Sequence, residues 1–277
     1  MKKLFKYLSL AFTIFWISVI LSVLILAFAG DNSKEQNVDV STAEEWSRRD
    51  DNSITNHRIW NNFSKKRYEL NVDISLENFY ASKIAKENID PNVSRYQYWG
   101  NIYKSLVEND DQWLKGIVNQ FDSIQNQHNL NQQAFANLLV SFVQDIPYTL
   151  LLSKSCDDPS FANLRAEIGY DVPCVGPVKF GLNSPIEFLA TLNGDCDTRA
   201  VLLFALFKHF GYKTAILVSN HYQHAILGVA LPSYGLYKEH LGVKYKVWET
   251  TAYGYKIGEL SPSVNDLNYW KIALINN

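Results

Sequence analysis

The longest unbroken apolar stretch of the chain comes first. Residues 7–29 carry no charged side chain and follow Lys2, Lys3 and Lys6. As a helix this stretch rises about 34 Å, enough to cross a hydrocarbon core of roughly 30 Å. A buried core helix would be shorter and would keep a polar stripe. Residues 1–30 are therefore expected to be a signal anchor with its lysines on the cytoplasmic side. The alternative is a signal peptide cleaved after the small-x-small sequence Ala27-Phe28-Ala29. The main domain is then membrane-anchored outside the cytoplasm, or secreted or periplasmic if the segment is cleaved. Residues 31–53 are polar and charged, and read as a tether.

From Ile54 the chain becomes aromatic and amphipathic. Trp60, Phe63, Tyr68 and Leu70 are spaced for a packed helical turn that leads into an extended piece. Helices are predicted over 75–87, 96–106 and 111–125. The third has Trp113, Ile117, Phe121 and Ile124 at helical spacing and Asp111 placed to cap. A fourth covers 131–144, with Phe135, Leu138, Leu139 and Phe142 on one face and Pro147 as its stop. Residues 54–130 are thus predicted to be a mostly helical region. After a loop rich in Pro and Gly come helices over 184–192 and 196–210, then strands over 213–219, 222–231, 245–250 and 269–275. Helices followed by sequential strands predict an α+β fold with helices packed on an antiparallel sheet.

Composition narrows the function classes. The 277 residues include 26 basic and 28 acidic side chains, for a formal charge of −2. That balance argues against a nucleic-acid partner. The chain has three cysteines. Cys156 and Cys174 lie in the Pro- and Gly-rich loop, and either close a disulfide that stiffens it or remain as two buried thiols. Nothing near them has the C-x-x-C spacing of a closed zinc site. No metal and no cofactor are expected.

The third cysteine carries the candidate chemistry. In Asn193-Gly194-Asp195-Cys196-Asp197-Thr198-Arg199, Gly194 allows a sharp entry and Asp195 is a plausible N-cap. Cys196 falls in the first helical turn, where free N–H groups and the helix dipole favour a thiolate. Ala200, Leu203, Phe204 and Phe207 would hold that helix against the sheet. His224 sits on one predicted strand and Glu249 on the next, close enough for the carboxylate to reach the imidazole. Glu249 would orient His224, His224 would take the thiol proton, and Cys196 would attack a carbonyl. His221 competes as the base but lies at a turn, an odd step along the strand from His224. The Cys196 N–H and the Gln144 side chain are oxyanion candidates. Cys196, Asp197, His224 and Glu249 also have the ligand types of a zinc site, although Asp197 is better explained by the helix dipole.

The order Gly194-Asp195-Cys196-Asp197, His224-Ala225 and Trp248-Glu249-Thr250-Thr251 resembles the transglutaminase-like superfamily of papain-like cysteine enzymes, over roughly residues 135–260. The usual third member there is Asp, where this chain has Glu249. The resemblance implies a transglutaminase-like domain over 131–277, with Cys196 as nucleophile, His224 as base and Glu249 as orienting acid. It also implies a membrane-anchored cysteine-dependent hydrolase or acyltransferase acting on protein or peptide amides through a thioester. The alternative is a non-catalytic envelope binding or scaffolding module on the same fold.

Overall fold

The computed structural model describes residues 45–91 and 98–276. They begin with strands. β1 (Trp46–Arg49), β2 (Ser53–Asn61) and β3 (Arg67–Ser75) form an antiparallel sheet in that order. β2 and β3 pair along their full length, from Ser53 opposite Ser75 to Asn61 opposite Arg67. The expectation of a mostly helical region from residue 54 is corrected here. Along β3, Tyr68, Leu70, Val72 and Ile74 are buried, whereas Glu69, Asn71 and Asp73 point to solvent. That period of two is a strand signal, and the β-branched residues Ile54, Thr55, Ile59, Val72 and Ile74 strengthen it. Trp60 and Tyr68 are not successive turns of a helix but register partners across the hairpin, their rings 5.8 Å apart.

Four helices follow. Ser75 caps α1 (Leu76–Glu87) by accepting the Asn78 N–H. α2 spans Tyr98–Asp110. Asp111 does not cap the next helix; it opens a 3-10 turn, and α3 starts at Lys115 and runs to Gln127. α4 (Gln132–Asp145) is capped by Asn131, whose side chain accepts the Ala134 N–H. The loop after Pro147 contains α5 (Ala162–Ile168) and two short parallel strands, β4 (Leu150–Leu151) and β5 (Cys174–Val175). Cys156 and Cys174 are joined as a disulfide, which ties the segment carrying α5 to β5.

α6 (Pro185–Thr191) starts with a capping box. Ser184 accepts the Glu187 N–H, and the Glu187 carboxylate accepts the Ser184 N–H. α7 (Cys196–His209) is buried from Cys196 to Phe207 except at Asp197. A helix apolar on all sides belongs at the centre of a domain. It packs on α2, α4 and α6 on one side and on β6 (Thr214–Ser219) and β7 (His224–Val229) on the other. With β8 (Tyr237–His240), β9 (Val243–Trp248) and β10 (Lys271–Ile275), these strands form an antiparallel sheet in the order β10-β6-β7-β9-β8. Its second face covers a smaller apolar cluster that includes Leu217, Ile226, Val247 and Trp270.

The described residues belong to one compact unit, Glu44–Asn277. No helix among them is long and apolar enough to cross a membrane. The expected span over 1–30 lies outside the described residues, as does most of the expected tether. The described residues supply no membrane-crossing helix for the expected N-terminal anchor, and the expected placement of the main domain outside the cytoplasm finds no support among them. The architecture it does show is α+β, led by a three-stranded sheet.

Candidate functional site

The site is built around the first turn of α7. Asp195 caps the helix by accepting the Thr198 N–H. Gly194 precedes it where a Cβ would lie 2.7 Å from the Phe188 ring, so a larger residue would push the loop off α6. Arg199, fully buried, reaches back from α7 to the carbonyls of Gly194, Val143 and Ile146 and fixes this turn against the end of α4.

β7 begins with His224 because β6 and β7 turn tightly. Ser219 pairs with His224, and Gln223 takes a left-handed conformation at φ 48°. Glu249 follows the last residue of β9, whose Trp248 pairs with Leu227. Neighbouring strands thereby bring the two side chains together, and His224 Nε2 lies 2.9 Å from Glu249 Oε2. The other carboxylate oxygen, Oε1, accepts the N–H groups of Thr250 and Thr251 and the Thr251 hydroxyl. Burial raises the Glu249 pKa, but the hydrogen bond and charge of His224, with the Thr251 donors, outweigh it and hold it at about 2.

That imbalance has a sign. A folded-state pKa below the ordinary 4.5 stabilises the fold above pH 4.5 and loses that contribution as pH falls toward 2. Glu249→Gln is expected to cost about 3 kcal/mol near neutral pH. The gap between the variant and the parent chain should narrow below pH 4.5 and close near pH 2. Denaturant unfolding across that range measures it; a gap independent of pH would refute the assignment.

The thiol does not join this pair. Cys196 is 7% exposed and donates its S–H to Asp197 Oδ2 at 3.6 Å. Among the described residues it makes no hydrogen bond to His224. Burial first, then the charges of Asp197 and Asp195, push its pKa well above the ordinary thiol range, against a smaller opposing effect from the Ala225 N–H. The helix start was expected to favour a thiolate. Burial, with the neighbouring Asp197 and Asp195, opposes that preference, and the same burial raises both carboxyls, Asp195 to about 8. Asp197 also accepts a hydrogen bond from the Tyr103 hydroxyl on α2. With Cys156 and Cys174 paired and Cys196 buried and bonded to Asp197, no free nucleophilic thiol and no Cys–His–Glu relay is evident among the described residues. The expectation of a thioester-forming hydrolase or acyltransferase is corrected on this ground.

Gln144 is equally committed. Its Nε2 donates to the carbonyls of Glu249 and Tyr255 at 2.6 and 3.0 Å, and its Oε1 accepts the Gly254 N–H. Rather than facing an oxyanion, it pins the strand after Glu249 to the end of α4. His221 stacks on Tyr269 with ring centroids 4.0 Å apart, away from the pair. Among the described residues no group of His, Cys, Asp and Glu is arranged to hold a metal ion.

Beside His224 lies an open cleft of about 520 Å³, whose walls include Tyr148, Leu164, Ile168, Tyr222 and Cys196. The sequence reading missed Tyr103, Tyr148 and the α5 wall. Tyr103 and Asp197 are 94 positions apart, and no local period links them.

Comparisons with protein-family models, with curated proteins and with solved structures return no match, so the resemblance to the transglutaminase-like superfamily carried by Cys196, His224 and Glu249 is unsupported and is set aside.

Proposed function

We propose that this chain is a non-catalytic binding module that holds a ligand in the cleft beside His224. The observation that carries this reading is the contrast between the cleft and its thiol. The cleft is open, and its volume lies within the roughly 300–1,000 Å³ that small-ligand sites occupy. The one thiol on it is buried and bonded to Asp197, and burial pushes its pKa up, away from the thiolate that a nucleophile needs. His224, locked to Glu249, presents a fixed polar group. Tyr148, Leu164, Ile168 and Tyr222 supply apolar area, and the disulfide keeps the α5 wall in place. No Lys or Arg among the described residues lines the cleft, whereas Glu167 does. The ligand that fits is neutral or cationic, with an apolar body.

A matched pair of probes tests this. Benzylamine should stabilise the protein by RT ln(1 + [L]/Kd), about 2.7 kcal/mol at a hundredfold excess over Kd, and raise its thermal midpoint accordingly. Benzoate at the same concentration should not, and Tyr148→Ala should weaken the amine's effect. Incubation with p-nitrophenyl acetate followed by intact mass measurement should leave Cys196 unmodified. A stoichiometric acyl adduct on Cys196, or benzoate binding as well as the amine, would overturn the proposal.

A further inference from the structure

A second concavity, of about 660 Å³, lies on the other side of the β6–β7 turn, and His221 borders both. We infer that it is a binding groove for a neutral oligosaccharide, formed where the Tyr269–His221 ring stack and Trp99 face the side chains of Asn220, Asn268 and His240. The inference is independent of the ligand assigned to the first cleft.

The chemistry of such a ligand is two-sided. A sugar ring presents a face of C–H groups and an equator of hydroxyls. A site for it needs flat aromatic rings for the one, and uncommitted groups that both donate and accept for the other. Both are present. Tyr269, 46% exposed, is held by the His221 stack at an interplanar angle of 19°, with Tyr222 edge-on to it from the other side of the turn. Trp99 is fixed by stacking on Tyr103, 5.8 Å away. Gly100 lets α2 lie against the β10 backbone, which brings Trp99 to the edge of the groove. The rings are therefore set before a ligand arrives, which lowers the entropy lost on binding.

The polar side is unspent. Among the described residues, the side-chain amides of Asn220 and Asn268 and the imidazoles of His221 and His240 make no hydrogen bond within the protein, and both asparagines are exposed. An amide both donates and accepts, as a vicinal hydroxyl pair requires. Charge argues against the other ligands that stack on aromatic rings. Lys271 is the single Lys or Arg lining the groove among the described residues, and no Asp or Glu lines it. A nucleic-acid strand or a sulfated glycan would need several cations to meet its charges.

Calorimetry on the full chain with chitohexaose, cellohexaose and laminarihexaose, beside a heparin hexasaccharide, tests the inference. At least one neutral sugar should bind, with a shift in tryptophan emission, and the heparin fragment should not compete. Tyr269→Ala should weaken binding about tenfold, the loss expected for one stacked ring. Tyr269→Trp should retain binding. Asn268→Ala, at an exposed position where folding is not at risk, should weaken it severalfold. No binding of any neutral sugar at about 10 mM, heparin binding more tightly than the neutral sugars, or affinity indifferent to both Tyr269→Ala and Asn268→Ala would overturn it.

Discussion

Replacing Arg199 with methionine is expected to lower the stability of the fold by at least about 4 kcal/mol. Arg199 is fully buried in α7, and no carboxylate is bonded to it among the described residues. Its guanidinium donates to four backbone carbonyls instead: Gly194, Val143, Ile146 and Thr250. The rings of Tyr148 and Phe188 lie 5.7 and 5.9 Å from its central carbon. Val143 and Ile146 end α4, so the cation also meets the negative end of that helix dipole. Burial lowers its pKa to about 10, which still leaves it charged at neutral pH. Methionine fills similar volume but leaves four buried acceptors without this donor. Arg199→Lys should recover little, because one ammonium cannot span the fork. The test is a denaturant midpoint that falls while the slope of the transition holds. Full stability in Arg199→Met would show that water replaces the guanidinium.

The second large effect is expected at Lys86. Its ammonium lies 2.6 Å from Glu187 Oε2 and donates to the Leu182 carbonyl, and both charged side chains are almost wholly buried. Asp110 adjoins them. It accepts the Ile186 N–H on Oδ2, its Oδ1 has no partner, and burial raises its pKa. Lys86→Met removes the cation paired with the buried Glu187 carboxylate and should cost about 3–5 kcal/mol. For a domain of this size that is a fall in thermal midpoint of about 6–20 °C. The pair itself is a weaker source of stability than its breakage suggests, so Lys86→Met combined with Glu187→Gln should recover part of the loss. A double variant no more stable than Lys86→Met alone would contradict this account. The site chemistry is spared in both, since Lys86 and Glu187 join α1 to α6 away from the cleft.

Signals of short reach were legible in the sequence. Ser184 and Glu187, three positions apart, form the capping box of α6, and Asn131 caps α4. The apolar spacing of 131–144 and 196–210 is met by helices at Gln132–Asp145 and Cys196–His209. The hairpin of β2 and β3 is ambiguous in the sequence, because Trp60, Phe63, Tyr68 and Leu70 also fit a helical turn and only the alternation at 68, 70, 72 and 74 marks a strand. The close approach of His224 and Glu249 follows from adjacent strands, which the pattern could supply. The commitment of Cys196 to Asp197 could not be read, since it depends on how deeply α7 is buried.

The sequence by itself determined the helices over 131–144 and 196–210, their apolar spacing, and that a cysteine, a histidine and a glutamate fall at element starts and ends. Those properties depend on backbone hydrogen bonds and side chains within about one turn of each other. Only the tertiary structure decided what those residues are. Desolvation, with Asp197 and Asp195, raises the pKa of the thiol, and contacts such as Arg199 with Val143 fix its turn. Charge states in an interior depend on everything packed around them, and no window along the chain contains that information.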